Sequence, residues 1–359
     1  MKPPTRSILQ RATTVGRTTL ALVAFAAACS GSSNAKTDGG TPAPGGSWRV
    51  VLQNLDAALM SVDGTSATDV WAVGADTRDG NGAMVLHFDG TSWRRKATGV
   101  NADLWWVHAF SADALLMGGT QGTILRYDGQ QFTRMDTPGT GQVFGVWGAS
   151  ENDVWAVGGE PDAEPGFVWR YDGSAWSDVS DMLPASVKGT PLFKVWGRTE
   201  NDVWIVGLDG VAVHWNGTEL ELGDTGTKDR LFTVHGPPSG KPAFVAVGGD
   251  ASAVLVQNDD GTKWHTPAHN PAPTQLFGVF MRSTKEGYAV GYDGIVLRYD
   301  GAAWKLLTTP FELTNPLHSV WVDPSGGVWA VGGDVLSPVP SDGVLVHQGK
   351  AIPHEITAE

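Results

Sequence analysis

An apolar triplet closed by glycine recurs along the chain, ending at Gly74, Gly118, Gly158, Gly207, Gly248, Gly291 and Gly332. The spacings run from 40 to 49 residues with a mean of 43. That period is the length of one four-stranded propeller blade. It constrains the fold because a unit this small cannot bury its own apolar face and must stack against copies of itself. The expected architecture is all-β: one seven-bladed β-propeller, in place of the two or three domains that 359 residues would otherwise suggest.

Each copy reads as four short apolar segments separated by turn residues, and no segment sustains a helical period. The innermost strand is expected at Leu59 to Val62, Leu104 to Val107, Val143 to Val146, Leu192 to Val195, Leu231 to Val234, Leu276 to Val279 and Leu317 to Val320. The second strand, of the type Val-Trp-Ala-Val-Gly, is nearly all apolar, as for a strand covered on both faces. The third ends in an aromatic residue before a turn, as in Tyr127-Asp128-Gly129 and Tyr171-Asp172-Gly173. Asp-Gly and Asn-Gly supply the positive φ that tight hairpins need. Three residues after the turn glycine comes a bulky fourth-strand residue: Trp93, Phe132, Trp176, Leu220, Trp264 and Trp304, all expected to pack.

Two segments compete to complete the last blade, the one around Trp48 and the one around Ile352. Trp48 fits the repeat offset better, and Pro353 weakens its rival. An N-terminal strand beside Val344 to His347 would close the ring and remove an exposed edge. The propeller is therefore expected over residues 47–352, with 353–359 as a tail.

From Trp48 to about Gly349 the chain resembles a class of bacterial secreted propellers whose copies read VWG, DVWAVG and YDGxxW. The match is closest at Val146-Trp147-Gly148, Asp153 to Gly158 and Tyr171 to Trp176. The hairpin is also distantly similar to the Asp-box of neuraminidase-type repeats, though the box has a residue between Asp and Gly. The resemblance implies a fold that serves as scaffold, recognition module or, in some members, hydrolase.

Residues 1–28 combine Lys2, Arg6, Arg11 and Arg17 with an apolar run from Leu20 to Ala28, the pattern of a secretion signal. Cys29, the only cysteine, follows three alanines, and this resembles the lipobox of bacterial lipoproteins, with Ala26 where leucine is usual. The resemblance implies lipidation of Cys29 and an outer-membrane anchor, with the body facing the periplasm or the cell surface. Ordinary cleavage and soluble secretion is the alternative. Residues 29–46, rich in Ser, Gly and Pro, read as a flexible linker. The net charge of −13 becomes −17 without the basic leader, which argues against nucleic acid.

Antiparallel order places the loops joining strands two and three, and those joining blades, on one end. The opposite end is monotonous, made of Ser-x-x-Asp and Asp-Gly turns. Loops that vary on a rigid scaffold are where binding usually sits. The variable end is acidic, with Asp76, Asp79, Glu160, Asp162, Glu164, Asp250, Asp334 and Asp342 as the candidate partner-binding set. Asp209 and Asp293 precede glycines and read as turn residues. Were the acids to converge, their field would attract a cationic partner or hard metal ion; solvated surface carboxylates are the plain alternative.

Trp105, Trp106 and Trp169 break the repeat and are candidates for stacking on sugars. No metal site is expected, because Pro267 sits between His265 and His269. His87, His214 and His347 occupy equivalent third-strand positions and read as packing residues. No catalytic constellation and no cofactor motif is visible. The expected function is a noncatalytic, monomeric interaction scaffold that binds an envelope protein or polysaccharide through the loops of one end and touches the membrane by its lipid anchor only. A lectin-like propeller is the alternative, and a glycoside hydrolase is a third.

Overall fold

The structure, a computed structural model, describes residues 46–357 apart from 162 and 336. Seven antiparallel sheets follow one another around an axis. Blade 1 runs Leu59–Ser66, Asp69–Asp76, Ala83–Phe88 and Trp93–Arg95 from axis to rim. Blades 2 to 6 begin with the inner strands Leu104–Ser111, Val143–Ser150, Leu192–Thr199, Leu231–His235 and Leu276–Ser283. Blade 7 begins with Leu317–Val322 and receives its outermost strand, Trp48–Leu55, from the start of the chain. Trp48 pairs with Gln348, Arg49 with His347 and Val50 with Val346, so the N-terminal strand closes the ring as expected.

The tail neither competes for that place nor hangs free. Ile356 and Thr357 pair in parallel with Trp93 and Arg94, adding a fifth strand to blade 1. Ile352 and Ile356 pack against the cluster between blades 7 and 1. Both chain ends therefore brace the same junction.

Seven apolar clusters account for the core among the described residues, and each spans one junction between neighbouring blades. Trp71, Val73 and Val85 of blade 1, for example, meet Leu104, Val107 and Met117 of blade 2. This is why the second strands are apolar on both faces: Val154, Trp155, Ala156 and Val157 are fully buried. The rim residues pack as anticipated, with Trp93 and Trp304 at 0% and 2% exposure.

The recurring glycine has a steric cause. A Cβ on Gly74 would lie 2.0 Å from the carbonyl oxygen of Ala58, just before the inner strand, and one on Gly158 would lie 1.9 Å from that of Gln142. Those carbonyls accept hydrogen bonds from the next amides, Ala75 N at 3.0 Å and Gly159 N at 3.1 Å. In blade 2 the equivalent position is Gly119, which pairs with Leu104 as Gly74 pairs with Leu59, and not the expected Gly118. Two adjacent glycines hid the one-residue offset.

Blade 5 also departs from expectation. It has three strands, and its fourth is reduced to a single bridge between Gln257 and His265. Its hairpin carries one residue more than the others, Asp259, and Pro267 stops the strand soon after. Trp264 still packs inward at 7% exposure.

Candidate functional site

All seven inner strands contain a β-bulge at the same place, after their first residue. The register slips between Leu59 and Ser61, Leu104 and Trp106, Val143 and Gly145, Leu192 and Lys194, Leu231 and Thr233, Leu276 and Gly278, and Leu317 and Ser319. A bulge leaves one residue unpaired and re-aims its side chain. The skipped residues are Met60, Trp105, Phe144, Phe193, Phe232, Phe277 and His318. They stand at the start of the inner strands, hence at the loop-rich end of the axial channel.

Six of these side chains form a closed collar. Ring centroids are 5.2 Å apart for Trp105–Phe144, 5.6 Å for Phe144–Phe193, 5.8 Å for Phe193–Phe232, 5.2 Å for Phe232–Phe277, 5.9 Å for Phe277–His318 and 5.9 Å for His318–Trp105. These distances suit edge-to-face and tilted aromatic contacts. Met60 of blade 1 is fully buried, and its carbonyl lies 2.7 Å from His318 Nδ1. Trp105, Phe144, Phe232 and His318 keep part of their surface accessible. Burial, and then the charge of Lys194, push the His318 imidazole down to about 4, so it stays neutral at ordinary pH.

One step along the channel lies Lys194 of blade 4, 4% exposed. Its Nζ donates to the carbonyl of Phe144 in blade 3 at 3.2 Å and sits 3.4 Å from the centroid of the Trp106 indole in blade 2. The side chain thus spans blade 3, whose residue at the same position, Gly145, has no side chain to block it. Among the described residues no carboxylate pairs with this ammonium, and burial pushes its pKa well below the usual lysine value.

Among the described residues, seven of the eight acidic candidates stand in or beside the turns that join second to third strands, and several are held by local partners. Asp76 accepts from the Arg78 amide, and Asp79 takes two bonds from the Arg95 guanidinium. Glu164 accepts from Gln142 N at 3.1 Å, and Asp250 is paired with Arg230. Glu160 faces Glu164 across its hairpin, Asp334 faces Ser341, and Asp342 adopts a left-handed turn conformation. Asp162 lies outside the described residues. Asp209 and Asp293, at φ of 56° and 54°, are turn residues. Among the described residues no group of three or more His, Cys, Asp or Glu is arranged to hold a metal ion.

The three tryptophans separate. Trp105 belongs to the collar. Trp106 has one face taken by Lys194. Trp169, as a sugar-stacking residue, is corrected by the structure: it is 2% exposed and stacked on Phe167 at 4.0 Å between centroids, so no flat face is free. His87, His214 and His347 stack on Trp71, Trp204 and Trp329 at 4.1, 4.5 and 3.9 Å. Asp69 lies 2.8 Å from His87, and Asp202 lies 2.8 Å from His214. These groups fasten the middle strands of blades 1, 4 and 7. Cys29 lies outside the described residues.

The collar was missed in the sequence although its signal was present, because six of the seven second positions of the inner strands are aromatic or histidine. A strand without a bulge would place those residues in line with the alternation, facing a neighbouring blade rather than the axis.

No family model and no curated protein sequence matches the chain. Solved structures do. YCF48 from Cyanidioschyzon merolae is similar with a TM-score of 0.63 at 16% identity, over 84% of this chain and 99% of that one. A structure of YCF48 bound to D1 peptide gives 0.60 at 14% identity, over 85% and 97%. The WD40 propeller domain of Doa1 gives 0.60 at 13%, over 84% and 97%. Likeness at such identities shows a shared seven-bladed fold.

Proposed function

We propose that the protein is a noncatalytic recognition scaffold that captures a segment of a protein partner at the collar. The observation that carries this reading is the closed collar of six rings, four of them partly accessible, presented at the end where loop lengths and sequences vary. Aromatic anchors in a concave, rigid setting are the usual source of binding energy at interfaces. That a related fold is recorded with a bound peptide supports a peptide partner by analogy of fold.

Lipidation of Cys29, which follows Ala26-Ala27-Ala28, would hold the protein at a membrane through its N-terminal segment. Mass spectrometry of the mature N-terminus tests the acylation.

A peptide-display selection on the purified protein, repeated on Phe144→Ala and Phe232→Ala, tests the binding site. Sequences enriched on the wild type and lost on both variants are the expected result. Equal enrichment on all three proteins, or binding confined to a glycan array, would overturn the collar as a peptide site; robust turnover on chromogenic glycosides would overturn the noncatalytic reading.

A further inference from the structure

We infer that the collar and Lys194 form a single axial site, in which an apolar stem fills the aromatic ring and a carboxylate at its tip pairs with the buried ammonium. The inference rests on the collar being the binding site and adds the chemistry of the ligand.

A lysine at 4% exposure ordinarily has a carboxylate beside it, because an ammonium taken out of water without a counter-charge is costly. Lys194 has a carbonyl and an indole face instead. Those two partners leave ammonium donor capacity unused, since the group carries three N–H bonds. The position is also one where nothing in the fold requires a lysine. The equivalent residues in other blades are Ser61, Gly145, Thr233, Gly278 and Ser319, and their work is local. Ser61 Oγ lies 3.3 Å from Val107 N, and Thr233 Oγ1 donates to Phe277 O at 2.7 Å, each joining two neighbouring inner strands. Only Lys194 and Trp106 are large in this layer, and they touch.

The surroundings select among anions. The chain carries −13, so small free anions such as chloride or acetate are repelled overall and gain nothing from the collar. An anion on an aromatic or aliphatic stem gains burial against six rings as it reaches the ammonium. A peptide supplies this chemistry in two ways, through a C-terminal carboxylate or through an acidic side chain next to an apolar residue.

Burial lowers the Lys194 pKa and a bound carboxylate raises it, so any proton exchanged on binding is taken up rather than released.

Titration calorimetry on the full mature protein, in two buffers of different ionisation enthalpy, tests the inference with 3-phenylpropionate and its neutral amide as probes. The acid should bind at least tenfold more tightly than the amide, with any proton exchanged taken up rather than released. Lys194→Met and Lys194→Gln should each abolish the preference for the acid, and Trp105→Ala should weaken both probes. A short peptide with a free C-terminal Phe, and an end-blocked peptide carrying Phe-Glu internally, then distinguish the two sources of carboxylate. Equal affinity for acid and amide, an undiminished acid preference in both Lys194 variants, or no binding of either probe to the wild type overturns the inference. Display-selected peptides that need Phe144 and Phe232 but not Lys194 would overturn it while leaving the collar as the binding site.

Discussion

Removing the Asp69 carboxylate should destabilise blade 1 measurably, because three donors converge on it. His87 Nε2 lies 2.8 Å and Trp71 Nε1 3.1 Å from Oδ1, while the Thr65 hydroxyl donates to Oδ2. Trp71 is fully buried and its ring stacks on His87 at 4.1 Å, so neither donor can turn to water without disturbing the stack. A buried donor left without an acceptor costs about 1–3 kcal/mol. Two such donors, one partly solvated, give about 3 kcal/mol for Asp69→Ala. In a domain of this size that is a fall of roughly 6 °C in melting temperature, at about 2 °C per kcal/mol. Asp69→Asn keeps one acceptor oxygen and should cost about 1 kcal/mol.

The same group makes a pH prediction with a definite sign. Burial works to raise the Asp69 pKa, but hydrogen bonds from His87, Thr65 and Trp71 together with the His87 charge outweigh it, and the net shift is downward. A depressed carboxylate stabilises the fold above its unfolded pKa of about 3.9 and loses that contribution as pH falls through the folded value. The gap between wild type and Asp69→Asn should therefore be widest near pH 6 and shrink below about pH 4. Calorimetric scans at pH 6 and pH 3.5 read both effects. Both variants melting within about 1 °C of wild type at pH 6, a difference below about 0.5 kcal/mol, would refute the reasoning.

Other consequences follow from the same contacts. Deleting residues 46–55 strips the strand from Ser341–Gln348 and exposes its edge, so the shortened protein should elute as larger species than the full-length protein in size-exclusion chromatography. Ending the chain after Gly349 removes Ile352, Ile356 and the Thr357 hydroxyl bonded to Trp93 O at 3.1 Å; a loss of about 1–3 kcal/mol in urea unfolding is expected, with the ring still closed. Asp63, pushed up to about 7 by burial against the opposing hydrogen bonds from the Ala109 and Gly64 amides, favours its neutral form in the fold. A raised carboxylate pKa costs stability as pH climbs from about 4 to above 7, so Asp63→Asn should gain on the wild type over that window in parallel thermal scans.

Blade number, strand order and the place of closure were legible in the residues because each depends on chemistry within a few positions. Asp172-Gly173 makes its hairpin wherever it stands, with Asp172 accepting from the amides of Ser174 and Ala175. Trp48 declared itself by its offset, and Pro353 counted against its rival. The proposed binding site was another matter. The acidic loops stood out because they share an end, and in the fold Asp79 and Asp250 are each paired with an arginine.

The sequence by itself determined that seven similar units would stack and close, since a short apolar period leaves no other way to bury its faces. Only the tertiary structure decided what lines the axis. The bulge after the first residue of each inner strand shifts the alternation of side chains by a residue, and closure then brings Trp105 within 5.9 Å of His318, more than two hundred positions away in the chain. Lys194 reaching over Gly145 to Trp106 is of the same kind. No local pattern encodes either contact, because both exist only once the ring is complete.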